Sequence, residues 1–321
     1  MIPESNGHVI TARGLSKKFG DQYAVRNVSL EIQRGQIFGF IGPSGCGKTS
    51  TVRLLTGYYV PTEGVAELFG HASASLKEKE RRKIGYMPQL FALYQDLTIL
   101  ENLNFSASLY GLGLFRRKRL NKILDFVDLR EHRRKLTSQI SGGMQRRLSL
   151  AAAMVHEPEV LFLDEPTAGI DPVLRQKFWD YFQELRNQGR TLFVTTQYVT
   201  EAAYCDYVGV MVEGELLCIE TPEGLRKRAY GGDVVVITME EEQPVDWGYV
   251  RELSHLPFLK ERPKLIDENT VRLVVDESST AVPELMEFTN SKNIKVKSIE
   301  PYSPPFDDVF VHLVKKEEQQ I

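Results

Sequence analysis

From Val9 to about Tyr230 the chain alternates short β-branched apolar runs with longer stretches whose apolar residues recur at helical spacing. A strand buried on both faces reads as a continuous apolar run, so this rhythm predicts a mostly parallel sheet covered by helices. The candidate strands are residues 36–41, 160–163 and 191–195. Two segments, YAVRNVSLEIQRGQ and VGVMVEGELLCIE, read instead as antiparallel hairpin material, each broken by a glycine turn. Between Thr98 and His156 no strand pattern is found, whereas TILENLNFSASLYGL, RKRLNKILDFVDL and MQRRLSLAAAMV carry helical periodicity. A helical insertion at about residues 90–157 follows.

The pattern resets after RKRAYGGD, with Gly231 and Gly232 as punctuation. Strand (residues 234–238), helix (245–256), two strands (258–265 and 271–275), helix (281–290) and strand (294–299) give the order βαββαβ, which predicts a small ferredoxin-like α+β domain. PPFDDVFVHLV adds a terminal helix with Pro305 near its start, and KKEEQQI reads as a frayed polar tail. The predicted division is residues 1–230 and 231–321.

Composition narrows the function. With 321 residues and 42% hydrophobic content the chain fills two cores without staples. A net charge of -3 provides no basic field for a phosphate backbone, so nucleic acid is not an expected partner. Cys46, Cys205 and Cys218 have neither metal nor disulfide spacing, which suits a reducing compartment. The amino terminus lacks a basic-then-apolar signal pattern, and no apolar run approaches the roughly 18 residues that span a bilayer. Any membrane role is expected to come through a partner.

The chemistry concentrates in IGPSGCGKTS, residues Ile41 to Ser50. Gly42, Gly47, Lys48 and Thr49 fit G-x-x-x-x-G-K-[ST], preceded by the apolar strand IFGFI and followed by the helical TSTVRLLTG. Glycines let the backbone of the loop Gly42, Pro43, Ser44, Gly45, Cys46 and Gly47 to Ser50 curl so that its successive N–H groups, which all but Pro43 carry, can cage polyphosphate oxygens at a helix start. Lys48 would reach the β and γ phosphates of ATP, and Thr49 would ligate Mg²⁺. In EVLFLDEP a buried strand delivers acids to the sheet's carboxyl edge: Asp164 for the metal, Glu165 to orient or deprotonate the attacking water. The expected fold class is α/β: a P-loop, RecA-like core with an antiparallel β subdomain and the helical insertion, plus the small carboxy-terminal domain.

The stretch ISGGMQRRLSLAAAMVHEPEVLFLDEPTAGIDP resembles the ATP-binding subunits of ABC transporters. The resemblance covers about residues 9–225, with the motifs in the family's order. Ser141, Gly142 and Gly143 match the family's signature, a serine N-cap and two glycines that leave helix amides open to an anion. In the family this site grips ATP held by a second subunit, which implies a dimer. The resemblance also implies that Tyr23 stacks on adenine and that Gln89 senses the metal and attacking water and links to the membrane subunit. Asp171 would cross the dimer interface, besides capping the helix that opens at Pro172.

Two positions depart from the pattern. Met144 replaces the signature's usual glutamine, and Gln197 stands where most members place a switch histidine, so it donates only a neutral hydrogen bond there. TAGIDP, TTQY followed by EAA, and the terminal FDDVF look most like the ATPases of bacterial ABC-2 type exporters of drugs, polyketides, lipids or ions. That implies a separate integral membrane permease, docked on the insertion beside Gln89 against residues such as Phe91, Leu93, Tyr94 and Phe105, with the chain peripheral at the cytoplasmic face. The basic runs Arg116 to Arg119 and His132 to Lys135 read as solvated helix faces. The rivals are a soluble ribosome- or repair-associated ABC ATPase, and a regulatory ATP-binding subunit with weak hydrolysis. Against the first, no second cassette and no coiled-coil or zinc insertion is found.

Overall fold

A computed structural model describes residues 7–240, 247–292 and 294–318. The chain divides into two compact units between Ile219 and Glu220. In order, the first contains β1 (His8–Phe19), β2 (Gln22–Gln33), β3 (Ile37–Ile41), α1 (Lys48–Leu55), β4 (Glu63–Leu68), β5 (His71–Ala72), α2 (Glu78–Arg81) and β6 (Ile84–Met87). The helical insertion follows as α3 (Ile99–Leu109), α4 (Arg117–Phe126) and α5 (Gly142–Met154). Then come β7 (Val160–Asp164), α6 (Pro172–Asn187), β8 (Thr191–Thr196), β9 (Tyr207–Val212) and β10 (Glu215–Glu220).

These strands form two sheets. The larger has the order β10-β9-β3-β8-β7-β6, and β3, β6, β7, β8 and β9 pair in parallel. Every residue of β3, β7 and β8 is buried, which is why each reads as an unbroken apolar run. Phe193 lies at its centre, with ring centroids of Phe38, Phe40 and Phe162 at 5.5, 5.4 and 5.6 Å. These phenylalanines share one core with Val9, Ile10, Leu15 and Leu68 of the smaller sheet. Because β3, β7 and β8 run the same way, the chain leaves all three at one sheet edge, where ligands collect in open α/β folds.

The smaller sheet, of order β2-β1-β4-β5, is antiparallel, and one sequence expectation is corrected there. QYAVRNVSLEIQ is a single twelve-residue strand rather than a hairpin; the hairpin is β1–β2, turning at Gly20 and Asp21. The glycine turn after β2, at Gly35, instead passes the chain to the larger sheet. The second candidate holds: β9 and β10 are neighbours joined by Glu213 and Gly214, whose positive φ values of 48° and 86° suit a two-residue hairpin turn.

The second unit opens with α7 (Pro222–Tyr230), which the sequence reading groups with the first domain. It continues with β11 (Asp233–Met239), α8 (Trp247–Leu253), β12 (Lys264–Asp267), β13 (Thr270–Val275), α9 (Ser278–Ser291), β14 (Val296–Tyr302) and α10 (Phe306–Glu318). The sheet order β12-β13-β11-β14, antiparallel throughout, is the split βαβ arrangement expected of βαββαβ. The expected strand at residues 258–265 starts only at Lys264, because Pro263 has no N–H for the ladder. The expected frayed tail is helical through Glu318, with Lys315 and Lys316 in the last turn of α10. Val245, at the predicted start of α8, lies outside the described residues.

Candidate functional site

The loop between β3 and α1 is built on close backbone approach. A Cβ at Gly42 would meet the Met211 carbonyl oxygen at 2.1 Å, and one at Gly47 would meet that of Ala24 at 2.3 Å, with Gly47 at φ 110°. Gly45 needs its glycine for φ 80° instead, since nothing lies within 4 Å of its Cβ position. Gly42 N–H donates to Thr196 O at the end of β8 (3.3 Å), and the Cys46 N–H to Pro43 O (3.3 Å). Lys48, buried at the first position of α1, folds back and donates to Gly42 O (2.8 Å) and Pro43 O (2.9 Å). Its ammonium also lies 3.4 Å from Glu165 Oε1. Ser50 follows in the helix's first turn.

Asp164 ends β7 fully buried. The hydroxyls of Thr195 (2.6 Å) and Thr49 (3.2 Å) donate to its Oδ1, and Tyr86 OH to its Oδ2 at 3.5 Å. Burial and the neighbouring Asp164 charge push the Tyr86 phenol up to about 12, so it remains a proton donor at neutral pH. Glu165 sits at φ 47°, a left-handed conformation that costs a non-glycine residue on the order of 1 kcal/mol or more. Its N–H is fixed by Thr195, at 3.1 Å to the carbonyl and 3.0 Å to Oγ1, and Gln89 Nε2 donates to its Oε2 at 3.4 Å. Lys48, Thr49, Gln89, Asp164 and Glu165 therefore meet in one cleft.

The other sequence candidates fall in three places. Gln197 is exposed one residue beyond Thr196, the acceptor for Gly42. Tyr23 is half-buried on β2 beside Ala24, which walls Gly47. Its ring faces Lys18 Nζ at 4.4 Å and Arg26 Cζ at 4.9 Å, and its hydroxyl donates to Glu63 at 3.4 Å.

Ser141 caps α5, accepting from Met144 N at 3.3 Å, and Asp171 caps α6, accepting from Leu174 N at 2.9 Å. Gly143 packs on α6, where a Cβ would approach Leu174 Cδ2 at 2.7 Å, whereas nothing lies within 4 Å of a Cβ at Gly142. Ser141, Gly143, Met144, Arg147, Asp171, Val173, Leu174 and Lys177 line one cavity, and no residue of the Gly42–Ser50 loop belongs to its wall. The glycine loop and the cavity headed by Ser141 are thus two separate surfaces.

On the insertion Phe115 (102% exposed) and Leu114 (91%) are the most exposed of an apolar set that includes Leu90, Phe91, Tyr94, Phe105 and Leu109, while Leu93 is half-buried. The basic run at Arg116 is not simply solvated: Arg116 bonds Asn104, Ser108 and the Leu112 carbonyl.

Sequence reasoning missed Thr195, Tyr86 and Arg146. The signal for the first was a threonine pair ending an otherwise apolar strand. Tyr86 shares a six-residue motif with Gln89. Arg146 gave none, since one of two adjacent arginines is buried only by tertiary packing.

A parallel α/β core with this glycine loop and acid pair at one sheet edge defines a P-loop nucleotide-binding cassette. The sequence profile of the ABC transporter family matches residues 25–168. The chain is 38% identical over 234 residues to the probable multidrug ABC transporter ATP-binding protein YbhF of Escherichia coli (strain K12), covering 73% of this chain but 40% of that protein. It is 30% identical over 311 residues to the linearmycin resistance ATP-binding protein LnrL of Bacillus subtilis (strain 168), covering 95% and 98%. The daunorubicin resistance ATP-binding protein DrrA3 of Streptomyces coeruleorubidus is 34% identical over 306 residues, covering 95% of each. Among solved structures, an ATP-binding subunit of an ABC transporter superposes with TM-score 0.63 at 26% identity, covering 70% of this chain and 93% of that one. The dimeric cassette MJ0796 superposes with TM-score 0.62 at 29% identity, covering 66% and 98%. The chain belongs to the ATP-binding proteins of the ABC transporter family.

Proposed function

We propose that the chain binds and hydrolyses ATP, pairs with a second cassette around two ATP molecules, and drives a separate membrane permease of an exporter. The observation that carries this reading is the meeting of Lys48, Thr49, Asp164 and Glu165 within hydrogen-bonding or ion-pair distance, with Lys48 bonded to the glycine loop's carbonyls. Lys48 binds the terminal phosphate oxygens, and Glu165 takes a proton from the water that attacks the γ phosphorus as ADP leaves. Thr49, Asp164 and Gln89 would hold a magnesium ion, and the close pairing of the Thr49 hydroxyl with the buried Asp164 carboxylate suits a hard cation. When bound, magnesium neutralises charge on the phosphate oxygens. Tyr23 supplies the adenine platform and Gln197 a neutral donor beside Gly42.

The cavity headed by Ser141 and Gly143 takes the phosphates of ATP held by the second subunit, with Asp171 crossing the interface. Support for the pairing comes from the relative solved as a dimer. Export fits the drug-resistance names of LnrL and DrrA3, which match this chain over nearly their whole lengths, and a peripheral position at the cytoplasmic face goes with that reading. Among the described residues no helix is long and apolar enough to cross a membrane. The permease helix docks on the exposed apolar residues around Leu90, Phe91, Tyr94 and Phe105. The second unit, which begins at Glu220, serves as an accessory domain. Phosphate release by the chain purified with its membrane partner, compared with Glu165→Gln, tests the reading: release no greater than in that variant demotes the chain to a regulatory ATP-binding subunit.

A further inference from the structure

We propose that Arg146 is a positioning residue of the ATPase reaction, whose guanidinium staples the Gln89 loop to the turn that follows Glu165. The inference rests on the ATPase reading above. Arg146 lies five residues beyond Ser141 on α5 and is 7% exposed. Its Nη1 donates to Gln89 O at 2.9 Å and its Nη2 to Ala168 O at 3.0 Å, so one planar fork spans two loops. The fork's face lies 4.9 Å from the Phe91 ring, next to Gln89 in sequence but one. Ala168 N–H in turn donates to Glu165 O at 3.2 Å, which closes the turn that begins at the strained Glu165.

Two facts argue that this arginine is more than packing. Among the described residues it makes no ion pair, so a buried cation is balanced only by carbonyl dipoles, the aromatic face and the longer-range charge of Glu165. A methionine would fill the same volume without that desolvation cost. Furthermore, both carbonyls it holds belong to segments whose side chains act elsewhere: the Gln89 amide faces the Glu165 carboxylate at 3.4 Å, and the second segment leads to Asp171. Strained backbone persists only where its surroundings over-determine it. Thr195 holds Glu165 from the strand side, and Arg146 holds the same turn from the helix that carries the signature serine. Lysine reaches one carbonyl but not both.

The test compares Arg146→Lys and Arg146→Met with the unaltered full-length chain in steady-state ATP hydrolysis, thermal unfolding and hydrogen exchange. The expected result is a kcat lowered roughly tenfold by Arg146→Lys and roughly a hundredfold by Arg146→Met, from one and two lost charge-assisted bonds. KM for ATP and the thermal midpoint stay close to the original values, and exchange rises at the Gln89 and Ala168 segments. Unchanged kcat in both variants overturns the inference, as does a parallel loss of kcat, ATP affinity and thermal midpoint, which marks a packing residue. Should Arg146→Met not fold, Arg146→Lys decides, and a lysine variant with full kcat refutes the requirement for the fork. If the unaltered chain itself hydrolyses no faster than Glu165→Gln, the ATPase reading falls and this inference with it; if it hydrolyses normally, only the inference is at stake.

Discussion

Lys48 Nζ and Glu165 Oε1 lie 3.4 Å apart, both side chains almost wholly buried. The loop's ammonium and the second acid of LDE thus neutralise one another in the same cleft. The pair makes a stability prediction independent of turnover. Lys48→Met strands a buried carboxylate and lowers the stability of the first unit by about 3 kcal/mol. Adding Glu165→Gln recovers much of that loss, with a coupling of about 1–3 kcal/mol in urea unfolding. Additive losses contradict the pairing.

Asp171 carries two separable roles. Its carboxylate caps α6 through Leu174 N–H, a bond that asparagine reproduces and alanine does not. Asp171→Asn therefore retains stability, whereas Asp171→Ala loses about 1 kcal/mol. Both variants lose ATP-driven pairing if the charge crosses the interface, as light scattering with ATP can measure.

His156 stacks on Tyr110 with ring centroids 3.5 Å apart, and Nε2 bonds the Ile84 carbonyl at 2.9 Å. Burial pulls the ring's pKa down to about 4, with Arg119 and Arg190 adding to the effect and the Ile84 carbonyl opposing it. The folded state then binds fewer protons than the unfolded chain between pH 4 and 6.5, so stability is full above 6.5 and falls as pH drops through that window. The expected loss is about 2 kcal/mol after allowance for solvent screening. His156→Gln should flatten the acid limb of thermal midpoint against pH; an unchanged limb assigns it to other groups.

Gln197 is exposed next to the β8 terminus that binds Gly42. Gln197→His places a group there that can donate a charge-assisted bond, stronger than a neutral one by about 1 kcal/mol, and should raise kcat several-fold below pH 7. Gln197→Ala should lower it. A histidine variant no faster than the original at any pH would show that this position does not limit turnover.

The sheet was legible where burial on both faces left mostly apolar residues: β3, β7 and β8 match their apolar runs to within a residue. The site was legible because phosphate and metal chemistry demand fixed residue types at fixed spacing, as in GPSGCGKT and LDE. Positions whose role depends on a distant partner were not. Nothing local separates buried Arg146 from Arg147, or marks Thr195 as the hydroxyl that joins Asp164 to the Glu165 amide. The β1–β2 turn was misplaced because β2 contains Asn27 at φ 49°, a bulge that breaks its alternation without ending the strand. Phe258 and Leu259 mimic a strand, but apart from one isolated bridge, Leu259 to Val275, they form no ladder.

Sedimentation velocity of the Glu165→Gln chain, with magnesium and either ATP or ADP, addresses the proposed sandwich between the glycine loop of one copy and the Ser141 cavity of the other. Dimer is predicted with ATP, monomer with ADP, and monomer again with ATP when Ser141→Arg fills the mouth of the signature cavity. A chain that binds ATP tightly yet stays monomeric at saturation would contradict the reading.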